Sequence, residues 1–330
     1  MRGRLITGIF TVGFLATSAL AQQIIKVDGS STVFPITEGV AEEFQKAKAG
    51  AVKVTVGISG TGGGFKKFCR GETDISNASR PITAKEMEEC RKNGVQYIEL
   101  PVAYDGLAVV VNTRNDWAVC MTVEQLKEIW RPESQNKKFK WKDLDPNWPD
   151  MEIKLAGPGS DSGTFDYFTE AIVGKAKSSR GDYLASEDDN VLVQFIRRER
   201  GGLAYFGLSY AEENKRRVKI VQIKNPKTGQ CVAPSMETVM KGTYQPLSRP
   251  LFIYVNAKAA QEKPEVKEFV DFYLANAGKI SREVKYIPLP QTAYKLAQER
   301  WNKRVVGTVF GGEIEVGLTI EELLKRESKQ

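Results

Sequence analysis

The sequence contains no histidine among its 330 residues. Histidine is the side chain that most often serves as a general base near neutral pH, and it is the commonest metal ligand. Its absence excludes the Ser-His-Asp triad. It also excludes hydrolytic and zinc sites that depend on histidine. The body of the chain also lacks an apolar run near the roughly 20 residues that span a bilayer.

The first 21 residues have the pattern of an export signal. Arg2 and Arg4 precede an apolar run over residues 5–15, and a stretch of small residues then ends at Ala21. A basic start, an apolar centre and an A-x-A-like end are typical of a cleaved signal peptide. We therefore expect residues 1–21 to be removed and the protein to be periplasmic; an uncleaved membrane anchor is the alternative. Gln22 follows the cleavage site, so no cysteine is available there for a lipid anchor.

Cysteine is scarce, with four residues in the whole chain. Four cysteines in an exported protein are typical of two disulfides, and sequence alone allows three pairings. Cys69 and Cys90 flank one short segment, so we predict a local Cys69–Cys90 bridge, which leaves Cys120 with Cys231. A zinc site formed by all four thiolates would need closer paired spacing.

The formal net charge is +7. Basic proteins can bind nucleic acid, but here the lysines are scattered along the chain rather than gathered in runs. A mild positive field of this kind attracts small anions. We therefore expect no nucleic-acid partner.

Strands and helices alternate along the chain, which predicts an α/β fold with a parallel sheet covered by helices. The remaining length of about 310 residues suits two lobes better than one core. The pattern predicts strands over 24–27, 52–58, 74–77, 97–102, 106–111, 153–157, 203–207, 218–223 and 251–255. It predicts helices over 35–49, 84–93, 123–130, 164–172, 190–198, 264–275, 277–284 and 291–303.

No polar or Pro/Gly-rich linker separates the two halves, although independent domains in series usually show one. Residues 104–112 and 249–256 are apolar strands instead. A chain that crosses twice between two lobes would have this pattern, and such a hinge makes a cleft that closes on a ligand. We predict one lobe from residues 22–108 and 252–330 and a second lobe from residues 109–251.

Three segments share one design, in which a strand leads through a loop of Ser, Thr and Gly into a helix. They cover residues 28–35, 57–64 and 157–164. The first turn of a helix has unpaired N–H groups and the positive end of the helix dipole, so it attracts anions. Each loop alone could be an ordinary helix cap. Together, at the carboxyl ends of strands, they predict a site for a tetrahedral oxyanion.

A fourth segment, residues 77–81, follows another short strand and contains Arg80. An arginine can donate two parallel hydrogen bonds to an oxyanion. We hypothesise that Arg80 is the charge partner of the anion; an exposed surface arginine is the alternative.

The chain from residue 22 onward resembles the periplasmic phosphate-binding proteins of ABC phosphate importers. The resemblance implies a periplasmic-binding-protein fold of type II, with two α/β lobes, a two-strand hinge and a ligand cleft between them. It implies a monomer without cofactor or metal that binds inorganic phosphate and delivers it to ABC permease subunits. The motifs that carry it are Gly29-Ser30-Ser31-Thr32-Val33, Ser59-Gly60-Thr61-Gly62, Ser79-Arg80-Pro81-Ile82 and Asp161-Ser162-Gly163-Thr164-Phe165.

On these motifs the resemblance implies that residues around Ser31 to Val33, Ser59 or Thr61, and Ser162 to Thr164 contact the anion. The sequence departs from the family pattern at Ser79, where the family has an aspartate, and at Pro158, where it has an arginine. The full candidate set is Ser31, Thr32, Val33, Ser59, Thr61, Ser79, Arg80, Asp161, Ser162, Gly163 and Thr164.

The missing aspartate bears on selectivity, because phosphate near neutral pH keeps a proton that sulfate lacks, and a carboxylate can accept that proton's hydrogen bond. We hypothesise Asp161 as this acceptor, with Asp28 as the alternative. Two other functions stay open: binding of sulfate, molybdate or arsenate, and hydrolysis of phosphate esters with Ser162 beside Asp161.

Overall fold

The computed structural model describes residues 22–160, 162–186, 188–312 and 320–327. The predicted signal peptide and Asp161 lie outside these residues. In the described part of the chain, no helix combines the length and the hydrophobicity that crossing a bilayer requires.

The chain begins with three rounds of strand and helix. These are β1 (Gln23–Gly29), α1 (Phe34–Ala47), β2 (Val52–Val56), α2 (Gly60–Cys69), β3 (Ile75–Ala78) and α3 (Ala84–Lys92). Proline stands at the start of α1, where its missing N–H has no intrahelical partner in any case. A capping box between Thr83 and Glu86 begins α3.

A single buried strand, β4 (Tyr97–Val111), then leads out of the first lobe. Two strands were predicted here, and that prediction is wrong at residues 103–105, where the strand continues through Asp105. The strand pairs with β12 (Ser248–Asn256) over residues 97–106 and with β8 (Gly202–Gly207) over residues 107–111. One strand therefore serves the sheets of both lobes.

The segment between β4 and β12, predicted to form the second lobe, combines short strands with short helices. In chain order it contains β5 (Cys120–Met121), α4 (Val123–Trp130), α5 (Trp141–Leu144), β6 (Lys154–Gly157), α6 (Gly163–Phe168), β7 (Leu184–Ala185), α7 (Asp189–Arg198), β8, α8 (Leu208–Glu213), β9 (Lys219–Ile220), β10 (Gln222–Lys224), β11 (Cys231–Val232) and α9 (Met236–Met240). A 3-10 turn covers Pro132–Ser134, and a π turn over Thr169–Val173 extends α6.

The chain returns through β12 and ends in helices. These are α10 (Ala257–Glu262), α11 (Pro264–Glu283), α12 (Gln291–Asn302) and α13 (Ile320–Glu327). Two helices were predicted over 264–284, but the structure has one of 20 residues. The helix continues because its buried face does, with Tyr273, Ala277 and Ile280 at helical spacing.

The main sheet has the strand order β2-β1-β3-β12-β4-β8-β6-β7, with β9 attached to β4. The prediction of a parallel sheet is only partly right. The pairs β1–β2, β1–β3 and β6–β8 are parallel, whereas β12 runs antiparallel to β3 and β4, and β4 runs antiparallel to β8. The two strands that connect the lobes, β4 and β12, run antiparallel to each other, because one leaves the first lobe and the other returns to it.

Aromatic residues pack in both lobes. In the first, Phe44 of α1 packs edge-on against Phe269 of α11. In the second, Trp130 packs against Phe168 and Tyr205. Both predicted disulfides, Cys69–Cys90 and Cys120–Cys231, are present. The buried hydrophobic residues of both lobes, including Phe44 and Trp130, belong to one continuous cluster, on which the loops that follow β1, β2, β3 and β6 are held.

Candidate functional site

The first Ser/Thr loop joins β1 to α1 and is held by Ser30. The Ser30 hydroxyl accepts hydrogen bonds from the backbone N–H of Thr32 at 3.1 Å and of Val33 at 3.4 Å. The Ser30 N–H in turn donates to the carbonyl of Asn77 on β3 at 2.9 Å. Thr32 and Val33 are buried, and Ser31 is half-buried. The loop is therefore a fixed turn at the carboxyl end of the sheet.

Asp28 connects this loop to the second one. The Ser59 N–H donates to Asp28 Oδ1 at 3.1 Å, the Ser59 hydroxyl donates to the same oxygen, and Lys67 Nζ lies 2.6 Å from Oδ2. Burial by itself would raise the pKa of Asp28, but the bonds from Lys67 and Ser59 outweigh it and hold the pKa below its ordinary value. Both oxygens of Asp28 are thus already occupied by donors of its own lobe.

The second and fourth segments meet through Thr61 and Ser79. Their hydroxyl oxygens lie 3.0 Å apart, and the Ser79 N–H donates to Thr61 Oγ1 at 3.1 Å. Ser79 is 9% exposed. Three of the four predicted segments therefore adjoin at one edge of the first lobe.

Arg80, the predicted charge partner, makes a bidentate ion pair with Glu86. Arg80 Nη1 lies 2.9 Å from Oε2 and Nη2 lies 2.8 Å from Oε1. Glu86 also accepts a hydrogen bond from the Thr83 N–H at the start of α3. The structure therefore directs the Arg80 guanidinium toward a helix cap, and its role as charge partner stays a prediction.

The third loop belongs to the second lobe and begins α6. The Ser162 hydroxyl caps the helix by accepting from the Thr164 N–H at 3.1 Å. Gly163 is buried against the first lobe, since a Cβ built on it would lie 1.8 Å from Thr32 Oγ1 and 2.9 Å from Thr32 N. Only glycine permits such a close approach. The first and third loops therefore touch across the cleft, whereas Asp161, the predicted acceptor, lies outside the described residues.

A charged pair that the sequence analysis missed lies beside this contact. Arg249 on β12 is directly opposite Asp105 on β4, with Arg249 Nη2 3.4 Å from Asp105 Oδ2. Each residue is only 4% exposed. The same nitrogen donates to Thr32 Oγ1 at 3.3 Å and to the Gly163 carbonyl at 3.2 Å. Arg249 therefore contacts a loop from each lobe.

Burial controls the electrostatics of this pair. It raises the pKa of Asp105, and the charge and hydrogen bond of Arg249 offset only part of that rise. The Arg249 guanidinium lies 3.9 Å from the ring centre of Tyr167, which stabilises a cation on an aromatic face. The signal for both residues was available in the sequence, because a charged residue in an otherwise apolar strand is rare unless it is paired.

A cavity of about 260 Å³ lies against Asp105, and its lining also includes Pro35 and Thr164. Since water occupies about 30 Å³ per molecule, this space is large enough for a small hydrated ion. The contact between the first and third loops therefore places hydroxyl and amide groups beside one buried guanidinium, and the cavity beside Asp105 has room for a small ligand.

Comparison with known proteins identifies the family. A model described as a PBP superfamily domain matches residues 16–277. The chain is 51% identical over 328 residues to Protein SphX of Synechocystis sp., covering 99% of this chain and 97% of the relative. It is 39% identical over 298 residues to the Phosphate-binding protein PstS of Staphylococcus saprophyticus, covering 90% of each.

Solved structures agree with these matches. A "possible phosphate binding protein" from Planctomyces limnophilus is 49% identical with a TM-score of 0.78, and the match covers 86% of this chain and 99% of that one. An ABC-type phosphate transport receptor from Vibrio cholerae shares the fold at 24% identity and a TM-score of 0.64, over 81% of this chain and 100% of that one. The predicted two-lobed binding-protein fold is confirmed.

Proposed function

This chain belongs to the PBP superfamily, and from that membership we propose that it binds inorganic phosphate between its lobes and delivers it to the permease of an ABC importer. The observation that carries the proposal is the contact of Thr32 with Gly163 beside Arg249, which brings loops of both lobes to one point. The relative from Staphylococcus saprophyticus is named as a phosphate-binding protein, which supports phosphate as the anion.

The proposed ligand set is drawn from the four segments of the sequence. Their hydroxyl and amide groups are neutral donors, and such groups at helix starts bind an oxyanion without the repulsion between fixed charges. Arg80 is retained because its segment adjoins Thr61, although its guanidinium is paired with Glu86. The set is Ser31, Thr32, Val33, Ser59, Thr61, Ser79, Arg80, Ser162, Gly163 and Thr164, with Asp161 as a further candidate.

Closure of the lobes is the step that such a site controls. An anion that contacts both the first and the third loop binds the closed form more tightly than the open form, and it shifts the population toward closure by that difference. A permease that recognises the closed form would then distinguish loaded from empty protein. The lobe boundaries proposed here remain residues 22–108 with 252–330, and residues 109–251.

The compartment proposed is the periplasm. The two disulfides are typical of an oxidising compartment, and the first 21 residues have the pattern of a signal peptide. Mass spectrometry of the exported protein tests this directly. We expect a chain that begins at Gln22, and a chain that retains Met1 would contradict cleavage.

Calorimetry with purified, anion-free protein tests the ligand. We expect one phosphate to bind per chain. Sulfate, molybdate and arsenate should bind with lower affinity. Tighter binding of sulfate than of phosphate would replace phosphate with that anion. Turnover of a phosphate ester would support hydrolysis instead.

Loss of the gene tests delivery. Cells that lack this protein should lose high-affinity uptake of radiolabelled phosphate and regain it from a plasmid copy. Unchanged uptake in the deletion strain would contradict a role in import, even if phosphate binding is intact.

A further inference from the structure

The pair of Arg249 and Asp105 lies outside the sequence motifs that define the proposed site. It comes from the two strands that connect the lobes, and both residues are nearly completely buried. A buried charge is strongly unfavourable unless it has partners. The hydrogen bonds of Arg249 therefore show how far its buried charge is compensated.

The hydrogen bonds of Arg249 are few and long. A guanidinium has five N–H donors, yet one nitrogen, Nη2, makes all three contacts, at 3.2, 3.3 and 3.4 Å. Arg249 Nε is buried, and nothing in the described residues accepts a hydrogen bond from it. A buried charged donor without an acceptor is destabilising. The guanidinium thus has donor capacity to spare at the point where the two loops meet.

Two other cations near the four segments already have carboxylate partners. Lys67 pairs with Asp28 at 2.6 Å, and Arg80 pairs with Glu86 at 2.8 Å. Asp105 is a weaker partner for Arg249 than either of these, because its oxygen lies 3.4 Å away. Among these cations, Arg249 has the greatest remaining capacity to bind an added anion.

We propose that Arg249 is the charged donor that binds the oxyanion in the cleft, and that Asp105 and Tyr167 position its guanidinium for both lobes. This inference rests on the proposed phosphate-binding function. Because Arg249 contacts Thr32 in the first lobe and Gly163 in the second, an anion bound to it would link the two lobes.

Substitution of Arg249 with a matched control tests the proposal. We expect Arg249→Gln to weaken phosphate binding by about 10- to 100-fold, because a hydrogen bond from a charged group to a buried anion is lost. Arg249→Lys keeps the charge without the planar fork, so its affinity should lie between those of Arg249→Gln and the wild type. Arg180→Gln is the control, since Arg180 is 5% exposed but pairs with Asp182 and contacts Ile129 and Lys137 instead.

The outcomes separate the two claims. If the wild type binds phosphate and folded Arg249→Gln binds it within about twofold of wild type, the inference is wrong and the proposed function stands. If Arg180→Gln loses affinity as much as Arg249→Gln, the effect is loss of a buried arginine rather than loss of a ligand, and the inference is again wrong. If the wild type binds no phosphate, both claims fail.

A measurement on the wild type covers the case in which Arg249→Gln does not fold. Isotope-labelled arginine gives one Nε–H signal per arginine, and the signal missing from Arg249→Lys identifies Arg249. We expect that signal to shift and to exchange more slowly with solvent when phosphate is added. An unchanged Arg249 signal at saturating phosphate would overturn the proposal.

Discussion

Gly163 and Thr32 come from different lobes, yet they pack so closely that a Cβ on Gly163 would lie 1.8 Å from Thr32 Oγ1. The contact joins the loop after β1 to the loop after β6. It is stabilised by Arg249, which donates to both residues through one nitrogen. Closure of the cleft therefore requires glycine at position 163, because a side chain there would overlap Thr32.

Gly163→Ala is expected to hold the lobes apart. Its methyl group would overlap Thr32 in the closed form but meets no such obstacle once the loops separate, so phosphate affinity should fall by at least about tenfold while the fold is retained. Small-angle X-ray scattering with and without phosphate measures the compaction. Gly181→Ala is the matched control, because the nearest atom to its added Cβ is 4.0 Å away. Normal compaction of Gly163→Ala would contradict the role given to this contact.

Arg80→Ala tests the earlier hypothesis against the new one. Because Arg80 is paired with Glu86 at the start of α3, its loss should destabilise the protein by about 1–3 kcal/mol and change phosphate affinity less than Arg249→Gln does. Thermal unfolding and calorimetry on the same samples give both quantities. A larger loss of affinity for Arg80→Ala than for Arg249→Gln would restore Arg80 as the charge partner.

Asp182 predicts a pH dependence of stability. The hydrogen bond from Arg180 is the largest contribution, and together with the other interactions it lowers the pKa of Asp182 to about 2. A carboxyl group whose pKa is lower in the folded than in the unfolded state stabilises the fold above the unfolded value. This stabilisation should be lost as pH falls from about 3.8 to about 2. Asp182→Asn should therefore lose less stability over this range than the wild type does in denaturant titrations, and equal losses would contradict the pairing.

The two disulfides should differ in their contribution to stability. The Cys120–Cys231 bridge spans 111 residues and the Cys69–Cys90 bridge spans 21. Chain entropy predicts that the longer loop adds about 1.5 kcal/mol more. The double variants Cys120→Ser/Cys231→Ser and Cys69→Ser/Cys90→Ser, compared by urea unfolding, give the difference. A greater loss from removing the shorter bridge would show that strain or local packing outweighs loop entropy here.

The loops could be predicted from the sequence because their signals are local. A strand, a Ser/Gly/Thr turn and a helix follow one another within residues 28–35, 57–64 and 157–164, and the structure has this order in all three places. The turn residues bond to neighbours a few positions away, as Ser30 does to Thr32 and Val33. Local hydrogen bonds of this kind can be inferred without tertiary structure.

The pair of Arg249 and Asp105 could not be predicted in the same way, because the two residues are 144 positions apart. Asp105 lies between the two strands that the sequence predicts over residues 97–102 and 106–111. In the structure the charge is compensated from the opposite strand, so β4 continues without a break. The contact between Arg249 and Asp105 therefore lies at both the missed site residues and the wrongly predicted break in β4.

A crystal structure of the protein with bound phosphate would show directly where the anion lies. We expect a single anion between the lobes, within hydrogen-bond distance of the loops at residues 30–33 and 162–164 and of the Arg249 guanidinium. An anion bound to one lobe only, or bound away from both loops, would contradict this expectation.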